Sequence, residues 1–280
     1  MSDLSKLTEL SSKAAQVRKL IVESVHHANA GHIGGPMSAT DILVALYFDS
    51  MNIRPDQPDW EGRDRFVLSK GHSAIGLYSV LAVKGYLPVE ELKTFDAIDS
   101  RLQAHPDMNV LPGLDMSTGS LGQGISAAVG MALGAKLKNE SFYTYCMLGD
   151  GESQEGQVWE AADIASRYGL DNLIVILDYN KLQQYGWNGA DGARDLPVHA
   201  PQERWNAFGW NVITIDGHDM EEILSAVKQA KQNKGTPTVI VAHTVKGKGV
   251  SFMENNYLWH SKVPTSEELQ KALQEIGKGA

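Results

Sequence analysis

The second half of the chain alternates between short apolar runs and amphipathic stretches, and this pattern limits the possible folds more than any other feature. Apolar runs over 142–148, 173–178, 210–215 and 238–242 are separated by helix-like segments over 157–168, 201–208 and 220–232. The runs Ile174-Val175-Ile176 and Val239-Ile240-Val241 are continuous and β-branched. Strands that read this way are covered on both faces, as parallel strands are. The expected fold class is therefore α/β, an open and mostly parallel sheet with helices on both faces. Such sheets bind ligands beyond the carboxyl ends of their strands.

The first half fits the same plan less regularly. Val17, Leu20, Ile21, Ser24, Val25 and Ala28 recur at helical spacing and predict a helix over 11–28. A Gly-rich loop over 31–36 follows, and Ser38 is read as the N-cap of a helix over 40–48. A short strand over 65–69 and a helix over 74–84 come next. Residues 99–120 have no periodicity and are expected to form a long loop, the kind of segment that often carries function. A helix over 121–137 contains Gly122, Gly124, Gly130 and Gly134. So many glycines suggest close approach of another backbone, either in a buried central helix or at a subunit interface. The mixed-charge helix expected over 266–276 is read as a surface element.

Composition excludes several classes. The 280 residues carry 25 basic and 34 acidic side chains, a net charge of −9, which argues against general nucleic-acid binding. With 42% hydrophobic residues the chain can bury a core. We expect one domain over 1–280. Cys146 is the single cysteine, placed in an apolar run, so it reads as core and the chain as suited to a reducing cytoplasm. No apolar stretch is long enough for a membrane span, and the polar N-terminus does not resemble a secretory signal.

The chemistry gathers at the ends of the expected strands. Gly149-Asp150-Gly151 follows the run 142–148, and Asp178-Tyr179-Asn180-Lys181-Leu182 ends the next. Parallel pairing brings these ends together. An aspartate, an asparagine oxygen and a backbone carbonyl are hard donors suited to a divalent cation that bridges phosphate oxygens. Gly149-Asp150-Gly151 alone is equally readable as a simple turn. Of the nine histidines, His26, His27 and His199 are read as ordinary loop or helix residues and His218 as a turn residue. His243, at a strand end, is left unassigned.

Taken together, these stretches resemble the amino-terminal half of transketolase, a thiamine diphosphate enzyme. The resemblance rests on Gly149-Asp150-Gly151 with Asn180, Ala30-Gly31-His32-Ile33-Gly34-Gly35-Pro36-Met37 and Ser69-Lys70-Gly71-His72. It also rests on Ala104-His105-Pro106, on 118–124, and on Lys246-Gly247-Lys248-Gly249 followed by Trp259-His260. It implies that Asp150, Asn180 and the carbonyl of Leu182 hold magnesium, calcium or manganese on the cofactor's diphosphate. The Gly151 amide, His72 and His260 would contact the diphosphate, and Gly119 and Leu121 would line the aminopyrimidine. His32 and His105 would face the donor sugar, a task suited to groups that donate hydrogen bonds and move protons near neutral pH. Glu155 would be the interface glutamate that faces the other half-site, although a helix dipole alone also favours an acid there.

In the family, the glutamate that activates the cofactor comes from a following pyrimidine-binding domain, and this sequence ends at Ala280 before one. The resemblance thus implies a split transketolase acting on sugar phosphates. A separate subunit would supply that domain, with a heterotetramer as the expected assembly. Another thiamine diphosphate enzyme, of deoxyxylulose-phosphate synthase or oxo-acid dehydrogenase type, or a non-catalytic binding module, are the alternatives. Ile33, Ala104, Ser120 and Ser261 depart from the family pattern beside the expected sugar site.

Overall fold

The structure is a computed structural model that describes residues 3–184 and 196–278. The helices are α1 (Asp3–Ala28), α2 (Gly34–Ala45), α3 (Ala74–Lys84), α4 (Gln123–Lys138), α5 (Gly156–Arg167), α6 (Pro201–Ala207), α7 (Met220–Gln232) and α8 (Ser266–Lys278). The strands are β1 (Arg65–Leu68), β2 (Thr144–Gly149), β3 (Leu173–Tyr179), β4 (Asn211–Asp216) and β5 (Thr238–His243). They form one sheet in the order β1-β2-β3-β5-β4, and every pair is parallel.

Alternation along the strands builds two cores. Tyr145, Met147, Ile174, Ile176 and Ile240 point into one, shared with α1, α2, α3 and α7. Cys146, Leu148, Val175, Leu177, Val239 and Val241 point into the other, shared with α4, α5 and α6. Successive side chains of a strand face opposite ways, so an unbroken apolar run is what a doubly covered strand requires. β4 lies at the sheet edge and is only partly buried.

Four expectations change, the first being the helix expected over 11–28, which starts at Asp3. Ser38 is not an N-cap: α2 begins four residues earlier, at Gly34, and Pro36 sits within its first turn, where a missing N–H costs nothing. Ser38 instead donates from inside the helix to the Gly35 carbonyl and to Asp178 Oδ2, at 2.9 and 2.7 Å. The helix expected over 40–48 becomes the end of α2 and a wide turn over Leu46–Ser50. The last helix is not purely superficial, because Ala272 and Ile276 are buried in the first core. On the Gly-rich helix Ile125, Ala128 and Ala132 pack in the second core, while a Cβ at Gly130 or Gly134 would meet nothing among the described residues. Part of the long loop expected after 173–178, residues 185–195, lies outside the described residues. Among the described residues no helix is long and apolar enough to cross a membrane.

Candidate active site

The register aligns the strand ends: Gly149 lies opposite Asp178, and Tyr179 opposite His243. The loops that leave them therefore converge. Asp150 is buried, with Oδ1 accepting from the Gly151 amide at 2.8 Å and Oδ2 from the Lys181 amide at 2.5 Å. This second contact pins the 180–182 loop against Asp150. Asn180 Oδ1 accepts from the Leu182 amide at 3.1 Å, and the Leu182 carbonyl accepts from Lys246 Nζ at 3.1 Å. Burial and the neighbouring Asp178 push the Asp150 carboxyl upward.

Asp178 is the hub beneath this loop. It is fully buried and pairs with the buried Lys70, while Ser38, Thr244 and the Asn180 side-chain amide also donate to it. Burial works against its charge, yet Lys70 and the hydroxyls of Ser38 and Thr244 hold the carboxyl below the usual range. Because Asn180 Nδ2 donates to Asp178 at 3.2 Å, its Oδ1 is left as the acceptor. Lys246 also contacts His260 Nδ1 at 2.8 Å, and burial lowers its ammonium to about 8.

The four expected histidines meet here. The His32 ring lies 5.0 Å from those of His72 and His260 and 6.5 Å from that of His105, centre to centre. His72 and His260 are 5.3 Å apart. Burial, reinforced by Lys70, pushes His72 down to about 2, and burial with Lys246 pushes His260 to about 3. Burial and then His105 lower His32 as well. These three rings are neutral near pH 7. Each then carries one N–H donor and one acceptor nitrogen, and in His260 the acceptor is Nδ1, which takes the Lys246 contact.

One cavity of about 530 Å³ is lined by every expected site residue: His32, His72, His105 and His260, Gly119, Leu121, Asp150, Gly151, Glu155, Asn180 and Leu182. His105 and Glu155 are exposed, and Leu121 lies at the boundary of exposure. Glu155 occupies the N-cap of α5 but its carboxylate makes no capping bond, so capping does not account for it. His218 is more than a turn residue: Nδ1 contacts Asp41 at 2.7 Å, and Nε2 accepts from the Val245 amide at 2.8 Å. His243 stacks near Tyr179, away from the histidine cluster.

The cavity fits a diphosphate with a divalent cation. Asp150, Asn180 and Leu182 offer three hard oxygens on two adjoining loops. Lys70 and Lys246 set two buried ammonium groups beside them. His32 Nδ1 and Ser73 Oγ are buried polar atoms without a partner among the described residues. A Cβ at Gly35 would project to within 3.1 Å of Ser73 Oγ and 3.8 Å of His72 Nε2, so the bare backbone keeps this space open. Among the described residues no three His, Cys, Asp or Glu side chains gather as a metal cluster. Any cation here would depend on the amide and carbonyl oxygens.

The motifs did not single out Glu152, Asp178, Lys70 or Lys246. Asp178 had a signal, being the one charge in an otherwise apolar strand. Lys70 and Lys246 lay inside quoted stretches, but local sequence does not say that a lysine is buried. Glu152 gave no signal.

A strand-end cavity lined by hard oxygens and buried ammonium groups is the place where an open α/β sheet takes a ligand. Residues 10–279 match the family described as "Transketolase, thiamine diphosphate binding domain", and the chain belongs to that family. It is 46% identical over 270 residues to the 6-deoxy-6-sulfo-D-fructose transketolase subunit of Clostridium sp. (strain MSTE9), covering 96% of this chain and 97% of that one. It is 42% identical over 261 residues to an apulose-4-phosphate transketolase subunit of Phocaeicola vulgatus, covering 93% and 91%. The crystal structure of Campylobacter jejuni transketolase superposes with a TM-score of 0.88 at 36% identity, over 96% of this chain and 42% of that one. The chain thus spans about two fifths of the solved transketolase and nearly all of the two subunits.

Proposed function

We propose that the chain is the diphosphate-binding subunit of a two-subunit transketolase, which moves a two-carbon ketol unit from a ketose phosphate to an aldose. The observation that carries this is the meeting of all the expected site residues around one cavity in a chain of this family. Bound thiamine diphosphate would supply the carbon nucleophile that takes up the ketol unit. Asp150, Asn180 Oδ1 and the Leu182 carbonyl would hold magnesium on its diphosphate, and Lys70 and Lys246 would offset the remaining charge. The Gly151 amide, turned to Asp150 in this structure, would become a phosphate donor by a small rotation of that carboxylate. Neutral His32, with His105 beside it, would donate to the sugar's carbonyl oxygen and accept a proton from its hydroxyl. His72 and His260 would orient the diphosphate.

A second subunit with a pyrimidine-binding domain would close the cavity over Leu121 and Glu155. The word "subunit" in the names of two relatives of nearly equal length supports this. We read residues 1–280 as one cofactor-binding domain, working in the cytoplasm within a heterotetramer. Calorimetric titration with thiamine diphosphate and magnesium tests the cofactor site. Asp150→Ala should weaken binding by more than about tenfold, since it removes the only charged cation ligand. Unchanged binding would contradict the metal assignment.

A further inference from the structure

Glu152 borders the same cavity without a role in the reading above, and it is placed where three of the site's segments meet. It follows the Gly149–Gly151 loop in a short turn over Glu152–Gln154 and is only 2% exposed. Its carboxylate accepts three hydrogen bonds. Ser69 Oγ donates to Oε1 at 2.5 Å, the Gly122 amide to the same oxygen at 2.9 Å, and the Gly149 amide to Oε2 at 3.1 Å.

Each donor is one residue from a group in the cavity wall. Ser69 precedes Lys70, Gly122 follows Leu121, and Gly149 precedes Asp150. The ends of β1 and β2 and the turn before α4 are thus tied to one carboxylate. Gly122 has a left-handed φ of 83° and opens α4, so its N–H lies at the positive end of a helix, where a carboxylate is favoured. Burial pushes the Glu152 carboxyl upward, and the donors from Ser69, Gly122 and Gly149 work against that.

All three partners donate, and this decides which side chain can serve. Glutamine has the same size but only one acceptor oxygen, and its amide nitrogen would face an N–H or O–H donor. One buried donor would lose its partner, which relaxes the distance between two segments more than it disturbs either core.

We propose that Glu152 is a positioning residue that fixes the Gly119–Gly122 turn against the Gly149–Gly151 loop, so that thiamine diphosphate is met by both at once. This rests on the cofactor reading above. A displacement of about 1 Å in such a constellation is enough to cost most of its binding or rate.

The test is calorimetric titration of the full chain with thiamine diphosphate and magnesium, beside thermal unfolding without ligand. Glu152→Gln should bind at least roughly tenfold more weakly, the equivalent of one lost buried hydrogen bond to a charged group, while keeping most of its thermal stability. Ser69→Ala removes one of the three donors and should show a smaller loss of the same sign. It decides the matter if Glu152→Gln does not fold. Wild-type affinity in a folded Glu152→Gln, or in Ser69→Ala where Glu152→Gln does not fold, overturns the assignment. A wild-type chain that takes up no thiamine diphosphate overturns the cofactor reading itself, and this assignment with it.

Discussion

His72 shows how burial sets chemistry at the scale of one residue. Its imidazole, pushed from 6.5 to about 2, stays neutral wherever the protein is folded. An unfolded chain takes up a proton there below about pH 6.5, while the folded chain does not. The contribution of neutral His72 is therefore complete above that pH and is lost as pH falls, by up to about 1.4 kcal/mol per pH unit. Urea unfolding of the cofactor-free chain between pH 5 and 7.5 should show a slope of this sign, to which His260 and His32 add, and His72→Gln should reduce it. An equal slope in both would contradict the buried, neutral placement. The residues legible in the sequence were those whose chemistry is local, such as the glycine-flanked Asp150 and the histidines in their motif frames. Asp178 and Lys70 were not singled out as a pair, because they lie 108 positions apart. Nothing near either one names the other. Glu152 is of the same kind: its three donors come from segments that meet only in the folded sheet.

Helix α4 separates two uses of glycine within one element. A Cβ at Gly124 would lie 2.6 Å from Ser69 Oγ and 2.7 Å from its Cα, so the helix start is packed directly on the backbone after β1. At Gly130 there is open space among the described residues. Gly124→Ala should destabilise by about 1–3 kcal/mol despite better helix propensity, because backbone cannot move aside cheaply. Gly130→Ala should stabilise the isolated chain by up to about 1 kcal/mol. Denaturant midpoints of the two variants check this, and a Gly124→Ala protein as stable as wild type would contradict the packing. Elements with a strong period were readable to within a few residues from α3 to the parallel strands, whereas α1 begins at Asp3, well before the start expected at residue 11. The start of α2 was not, because Gly34, Gly35 and Pro36 look like loop until one sees Gly34 pressed against Trp259 and Lys246. That constraint comes from the far end of the chain. The buried face of α8 was similarly hidden, as it depends on packing against the first core.

At the scale of the whole molecule, five parallel strands bring the loops after β1, β2, β3 and β5 to one end of the sheet, and the cavity lies there. Its wall holds Asp150, Asn180, the buried Lys70 and Lys246 and the histidine cluster, while Leu121 and Glu155 stand at its exposed margin. This division fits the proposal that the chain supplies the diphosphate half of a shared site. Purified chain should be mixed with its partner protein, thiamine diphosphate and magnesium, and ketol transfer between a ketose phosphate and an aldose measured. The mixture should transfer the unit and neither protein alone should; full transfer by this chain without a partner would contradict a shared site.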